Sequence, residues 1–363
     1  MGSVTRDFAN SIGPGKTVST GINFKNIIIN GDMSIAQRST SVSGITGSGF
    51  YTVDRYYLVN GIGTWTQSQS TDVPTCQGFA TSLKMDCTTA NASPAADGEI
   101  VLRQVFEGQM LQYLKKGTVN AKSLTLSFWI KATKTGTNFV ELFDFDNTRQ
   151  ISKAYTINVS NTWEKKTLTF EGDTSGVLDN DNGASFGVQF SLGAGSNFTS
   201  GTLSTTWTSS TNADRFVGQV NHADSTSNEW YITGIQLEAG TSASDFEFLP
   251  YDINFTRCQR YYYVHATSNQ MIGTMWWYQS GINSTTCFFP TEMRSAPSLS
   301  TTTGTNYYRV FTGGSATDFN SLGSIQAVSR HAAAVDSGLS GSSHDVGRVV
   351  CNSGGEVIFS SEL

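Results

Sequence analysis

In the stretch SLTLSFWIK, Leu124, Leu126, Phe128 and Ile130 alternate with Thr125, Ser127, Trp129 and Lys131. A two-residue period belongs to a β-strand with one face on a core and the other in water. The period recurs along the chain. WEKKTLTFEG points Leu168 and Phe170 inward, and ASFGVQFSLGAG puts Phe186, Val188, Phe190 and Leu192 on one face. EWYITGIQLEAG reads with Tyr231, Thr233, Ile235 and Leu237 on one face. Turn-rich segments such as GVLDNDNGA and TSSTNAD separate these runs. A short helix is expected around Val105 to Leu114. Many short alternating strands with few helices predict an all-β chain. Residues 25–250 form a large antiparallel β-sandwich of the jelly-roll kind, each sheet keeping one wet face.

The stretch FLPYDINFTRCQRYYY (248–263) interrupts this pattern. Pro250 lacks an N–H and stops the preceding strand. Asp252 to Arg260 then makes a short helical turn, and Tyr261 to Val264 starts a new strand. The segment reads as a hinge-like connector whose tyrosines touch both domains with wet hydroxyls. Arg257 and Arg260 are placed to pair with Asp245 or Glu247; the plainer reading is a linker with surface charges. Beyond it, RYYYVHAT, MIGTMWWYQSG, STTCFFPTEMR, NYYRVFTG, GSIQAVSRHAAA and EVIFSSEL are strand-like and predict a smaller antiparallel β-sandwich over 251–363. Residues 1–24 are rich in Gly, Ser and Thr without a hydrophobic period. They read as an extended N-terminal arm, the alternative being a disordered tail.

Composition sharpens the class. Of 363 residues, 14% are charged, against roughly a quarter in ordinary soluble domains. Hydroxyl and amide residues fill the gap and 12% are aromatic, the palette of strands and turns. The net charge is −6 and the basic pairs Lys115-Lys116 and Lys165-Lys166 are isolated, so no nucleic-acid partner is expected. No run of about 18 apolar residues predicts membrane insertion, and the N-terminus lacks the apolar core of a secretory signal. Five cysteines without a CxxC spacing read as free thiols, with a Cys76–Cys87 bridge between loops as the alternative.

Candidate chemistry is sparse. Trp129 stands on the polar side of its strand beside Lys131, where a large ring serves as ligand platform, subunit contact or loop cover. Trp276 and Trp277 point to opposite faces of one strand, so one is core and the other an interface or platform. Trp65 and Trp207 sit in turn-rich segments where they line loops at the sandwich edge or simply pack them. Asp144 and Asp146 share a strand face about 7 Å apart, in the broad range of paired glycosidase carboxylates; the same residues are ordinary turn formers. The four histidines lack metal-ligand spacing, and no nucleophile elbow or phosphate loop occurs. Asp179 to Asn182 reads as a turn rather than a metal site. No catalytic residue, metal or cofactor is expected.

The segments NIIINGDMSIAQRST and YTVDRYYL resemble the opening of a jelly-roll domain of bacteriophage tail-fibre and related virion proteins. That domain is itself similar to carbohydrate-binding modules of bacterial glycanases. YITGIQLEAGTSASDFEFLPY resembles its closing strand and exit, while TRCQRYY, FPTEMRSAPSL and FSSEL resemble the C-terminal β domain that follows in phage fibres. The resemblance brackets Asn26 to Leu363. It implies a structural, non-enzymatic virion component of a tailed phage, a tail-fibre or adhesin-type subunit for multivalent host attachment. Such a subunit resembles homotrimers, joins other virion proteins through its arm and contacts a host-surface glycan or protein. A capsid decoration or head-fibre protein with the same fold is the alternative, and a secreted glycan-degrading enzyme the third. Glycanase modules often hold a structural calcium at the closing strand. Here Ile232-Thr233-Gly234-Ile235 offers no carboxylates, and Asp32 alone does not make a six- to eight-oxygen site.

Overall fold

The computed structural model describes residues 24–341 and 345–363. The expected arm lies outside them except for Phe24. Half-buried alternation first builds β1 (Ser41–Ile45), β2 (Gly49–Phe50), β3 (Tyr57–Asn60), β4 (Thr64–Ser70), β5 (Ser82–Thr89), β6 (Glu99–Glu107) and β7 (Leu124–Ala132). It continues in β8 (Gly136–Asp144), β9 (Arg149–Ile157), β10 (Glu164–Phe170), β11 (Ala184–Ala194), β12 (Thr208–Ser209) and β13 (Glu229–Ala239). These strands form a six-stranded sheet, β1-β4-β5-β13-β7-β10, and a seven-stranded sheet, β12-β9-β8-β11-β6-β3-β2. Their pairings are antiparallel, as in β7 with β10 and β13, and β11 with β6 and β8. Between the sheets lies one core that includes Leu126, Phe128, Ile130, Trp230, Val140, Val188 and Phe190. Phe128 meets Tyr155 and Phe190 edge-on at 5.1 and 5.2 Å, the geometry that aromatic quadrupoles prefer.

The alternation predicted for β7, β10 and β11 holds, with Phe170, Phe186 and Leu192 also in this core. That of β13 does not. Trp230 and Ile232 face inward at its start, and Ile235 and Leu237 at its end. A bulge between Thr233 and Gln236 inserts one residue opposite β7 and reverses the phase. Gly234, at φ +63°, supplies the left-handed backbone, and a Cβ there would lie 2.5 Å from the Phe79 ring. The helix expected from Val105 is also corrected. Strand β6 runs on to Glu107, and only two 3-10 turns follow, Gly108–Met110 and Gln112–Leu114. The outer faces are only partly wet: Lys165, Thr167 and Thr169 of β10 and Ala154 and Thr156 of β9 are exposed. Thr125, Ser127 and Lys131 are buried on the outer side of β7.

A second sandwich follows the helix α1 (Tyr251–Gln259). Its strands are β14 (Tyr262–Ala266), β15 (Met271–Gln279), β16 (Ile282–Phe288), β17 (Ser298–Thr301) and β18 (Tyr308–Thr312). Then come β19 (Ser315–Phe319), β20 (Ile325–Val328), β21 (Ala332–Val335), β22 (Val346–Cys351) and β23 (Val357–Ser360). A three-stranded sheet, β14-β23-β17, pairs with a seven-stranded one, β19-β18-β22-β15-β16-β21-β20, over a core of Met275, Trp277, Tyr308, Val349 and Phe359.

The two sandwiches meet through a dense polar junction. The predicted partners of Arg260 are corrected here. Its guanidinium donates to both oxygens of Glu107, at 2.8 and 2.6 Å, and Tyr261 Oη donates to the same carboxylate at 2.5 Å. Glu247 is instead engaged by the Asn26 backbone N–H at 2.9 Å. Tyr261 is fully buried, so its hydroxyl is not wet. Burial alone would raise the pKa of Glu107, yet the Arg260 and Tyr261 hydrogen bonds hold it below the usual range. Arg294 ties Asn182 O (2.8 Å) to Ser361 O (2.6 Å), fastening β23's exit to the first sandwich. The segment therefore joins the two sandwiches through hydrogen bonds to both. Cys76 is exposed, while Cys87, Cys258, Cys287 and Cys351 are buried free thiols.

Asp54, fully buried near this junction, yields a prediction. Burial pushes its pKa up to about 6 despite Arg38 at 3.7 Å and the Gln37 N–H at 2.9 Å. The folded protein therefore holds a proton there that the unfolded chain releases near pH 4, and stability falls as pH rises between those values. The wild type should lose about 3 kcal/mol relative to Asp54→Asn between pH 4 and 6. Urea unfolding of both proteins across that window checks it; parallel curves would refute it.

Candidate ligand-binding face

The outward residues of β7 decide what the six-stranded sheet presents. Strand register sets Lys131 beside Tyr231 of β13, and sets Trp129 between Thr233 of β13 and Lys165 of β10. Trp163 stands one residue before β10. The Lys131 ammonium lies 4.3 Å from the Tyr231 ring and 5.8 Å from the Trp163 ring. Those rings meet edge-on at 6.2 Å. Asp72, reaching in from the segment before β5, pairs with Lys131 and accepts the Trp163 indole N–H at 2.9 Å. Tyr231 Oη donates to Glu229 at 2.8 Å, and Glu229 accepts from Lys84 Nζ at 2.6 Å. Phe79, Phe246 and Phe248 pack on one another with centroids 4.8–5.1 Å apart, capping the Gly234 bulge. Trp129 and Trp163 remain half-exposed.

The electrostatics are closed. Burial would raise Asp72 and Glu229, but hydrogen bonds from Lys131 and Trp163, and from Lys84 and Tyr231, hold both below the usual range. Burial and the adjacent Glu229 push Tyr231 up to about 12. The rings are thus rimmed by paired charges, Lys131 with Asp72 and Lys84 with Glu229 and Asp86. The lowered carboxylates of Asp72 and Glu229 and the raised phenol of Tyr231 move away from neutral pH, the opposite of what general acid–base chemistry demands. Flat indoles rimmed by fixed donors and acceptors suit a neutral ligand with an apolar face and many hydroxyls.

The predicted site residues scatter. Trp129 and Lys131 belong to this face. Trp65 is wholly buried in β4, its N–H donating to Ile62 O at 2.8 Å, and it lines no loop. Trp207 packs against the first core, its N–H on Glu171 O at 2.8 Å and Lys116 5.2 Å over its ring. Trp277 lies in the second core, and Trp276 stands 49% exposed on the opposite face. Asp144 is buried against Lys116, and Asp146 accepts the Asp179 N–H at 2.8 Å, so the two serve separate structural contacts. His222 is buried on Asn138 at 2.7 Å, and burial pushes it down to about 3. Among the described residues no group of three His, Cys, Asp or Glu is arranged to hold a metal.

Trp163, Tyr231 and Asp72 escaped sequence reasoning. Alternation backward from Leu168 does not reach Trp163, which lies outside the strand. The bulge concealed the outward side of Tyr231, and Asp72 comes from a loop with no periodic signal.

No family model matches the chain, and no curated protein matches it. Solved structures with some likeness include the enzymatically active domain of tailspike protein 4 of bacteriophage CBA120, at 14% identity and TM-score 0.31. That match covers 60% of this chain and 22% of the other, so the chain spans about a fifth of the tailspike. A putative sugar-binding protein from Bacteroides thetaiotaomicron VPI-5482 matches at 11% identity and TM-score 0.33, covering 59% of this chain and 99% of that one. A CBM4 structure matches at 11% identity and TM-score 0.29, covering 58% and 97%. Scores this low carry no argument, and the all-β sandwich fold stands on the strands and registers above.

Proposed function

We propose that the protein is a glycan-binding, non-catalytic attachment subunit of a bacteriophage virion, a tail-fibre or adhesin-type chain acting as a homotrimer. The observation that carries the reading is the face of Trp163, Lys131, Tyr231 and Trp129, whose flat rings and paired charges match sugar recognition. The resemblance of the opening, closing and C-terminal segments to phage fibre proteins supports the setting. A single sugar contact of this kind binds weakly. Holding several copies together raises the effective concentration, so that millimolar to micromolar contacts act as a firm grip.

The test is binding of host-surface polysaccharide to immobilised protein. Trp163→Ala should weaken binding about tenfold, as loss of one stacking ring does, with an unchanged unfolding midpoint. Equal binding by the folded variant would remove this face from the reading. Neither wild type nor Asp144→Asn should release sugar products; turnover lost in that variant would favour a glycan-degrading enzyme. Imaging of intact particles should place the chain on the tail, whereas density on the head would make it a decoration protein.

A further inference from the structure

Lysines meet carboxylates at several places on the first sandwich, and among the described residues one such contact is sealed from water. Asp72, Asp224, Glu229 and Glu164 face their lysines with side chains 14–44% exposed. Lys116 is 6% exposed, and its partner Asp144 is wholly buried. Asp144 ends β8, and Lys116 follows the second 3-10 turn, where the Gly117 N–H anchors the chain on Asp173 O at 2.8 Å. Lys116 Nζ therefore lies between two carboxylates, with Asp144 Oδ2 on one side and Asp173 Oδ2 at 2.9 Å on the other. The Trp207 ring, 5.2 Å from Nζ, covers the site. Asn147 donates to Asp144 Oδ1 through its backbone N–H at 3.0 Å and its side-chain amide at 3.2 Å. Arg149 holds Asp173 with two bonds, of 2.7 and 3.0 Å.

We propose that Lys116 and Asp144 condense into an isopeptide bond, a covalent cross-link that the chain forms in itself with Asp173 as the base. A nitrogen hydrogen-bonded to one carboxylate oxygen stands about 3–3.5 Å from the carboxyl carbon, the separation of a near-attack pair. Nζ passes one proton to Oδ2, leaving an amine beside a carboxylic acid. The nitrogen attacks Cγ, and the charge that gathers on Oδ1 meets the two Asn147 donors already aimed at it. Asp173 takes a second proton from the nitrogen and returns it to Oδ2, which leaves as water. One C–N bond forms and one C–O bond breaks. An ammonium and a carboxylate become an amide and a water, with no oxidant, reductant or cofactor.

Two features of the site favour the amide over the ion pair. Buried ions lose solvation that their mutual attraction restores only in part, and the product removes two of the four charges. The product also leaves no polar group stranded. Oδ1 keeps both Asn147 donors. The new amide N–H has Gly176 O, now 2.9 Å from Nζ, as its acceptor. Asp173 keeps Arg149, a complete ion pair without Lys116. Burial would raise the pKa of Asp173, but the Arg149 and Lys116 hydrogen bonds hold it below the usual range, so it is ionised and open to a proton. The bond joins residues 28 apart and ties the 108–122 segment to the end of β8. It depends neither on the ligand nor on the number of copies.

The test is intact mass measurement on the purified, folded full chain, followed by fragmentation of its proteolytic peptides. Wild type should be lighter than its sequence by one water, and the peptides holding Lys116 and Asp144 should be found joined. Lys116→Arg keeps a positive charge opposite Asp144 and should show its full sequence mass. Asp173→Asn should condense about a hundredfold more slowly, the loss expected for a missing general base, as read from samples aged after purification. Condensation at the wild-type rate in that variant would take the base role from Asp173. Folded wild type that keeps its full sequence mass through the same ageing overturns the bond. So does a missing water that persists in Lys116→Arg, as ring closure at Asp97-Gly98 produces. Should Lys116→Arg fail to fold, the wild-type peptides decide alone: joined at other residues, or not joined, they refute the cross-link.

Discussion

Replacing Arg55 by alanine is expected to destabilise the protein by about 3–5 kcal/mol, the cost of breaking a buried ion pair from one side. Arg55 is 1% exposed. Its guanidinium pairs with Glu362, donates to Val105 O at 2.8 Å and lies 3.4 Å over the Tyr261 ring. The pair thus links the first sandwich to the exit of β23 and to the start of the second sandwich. Alanine leaves Glu362 nearly buried with only Arg38, at 3.0 Å, to balance it. The backbone adds to the case. Arg55 has φ +76°, a region that costs a non-glycine residue about 1–2 kcal/mol, so the contacts of the side chain must outweigh that strain. Urea unfolding of Arg55→Ala, Glu362→Gln and the double variant measures the pair. The double variant should be more stable than the sum of the singles implies by at least about 1 kcal/mol, because the two side chains touch. Additive losses would show that the junction is held elsewhere.

This junction also marks where sequence reasoning stops. The period of two in β7 and β11 was readable because each strand has a core on one side, and burial of Phe128 or Phe190 demands the alternation. Strand β13 obeys the same physics, but a single inserted residue at Gly234 exchanges its faces, and no local pattern announces the exchange. Trp65 shows a related limit: TWTQSQS looks like a polar turn, although its alternation buries Trp65 and Gln67. The paired ions were hidden more deeply. Arg260 and Glu107 are 153 residues apart, and Arg55 and Glu362 are 307 apart; nothing near either arginine in the chain points to its partner. In the candidate face, Trp129 and Lys131 could be read from one strand. Their neighbours could not, because they arrive from a flanking residue, a bulged strand and a loop. Loop cover has no period either, so the burial of Thr125 and Ser127 on the outer side of β7 cannot be read from the strand.

The covered face of the seven-stranded sheet in the first sandwich carries the other large effect. Glu141→Ala should cost about 3–5 kcal/mol, because it strands the buried guanidinium of Arg215. Glu141 is fully buried, and burial pushes its pKa up, opposed by Arg215. Arg215 donates through Nε to both carboxylate oxygens at 3.1 Å and through Nη2 at 2.9 Å, while Gln189 adds a bond of 2.9 Å. Glu99 is the second partner of Arg215, at 3.2 Å and less deeply buried. Arg215 belongs to the 195–219 segment, whose Phe198 and Phe216 pack over Val101 and Phe139 of the sheet. The ion pair therefore pins the cover, and its loss should open the cover before the core melts. Urea unfolding should show the loss of stability, and limited proteolysis should show new cleavage within 195–219. Glu141→Gln, which keeps a hydrogen-bond acceptor, should fall between the two. Replacing both partners, as Glu141→Leu with Arg215→Met, should recover most of the stability, since a well-packed apolar pair suits the site as well as the ions do. Polysaccharide binding through Trp163, on the opposite sheet, should survive in every variant that folds. Were it to fall together with the cover, the ligand would lie under the 195–219 segment and not on the Trp163 face.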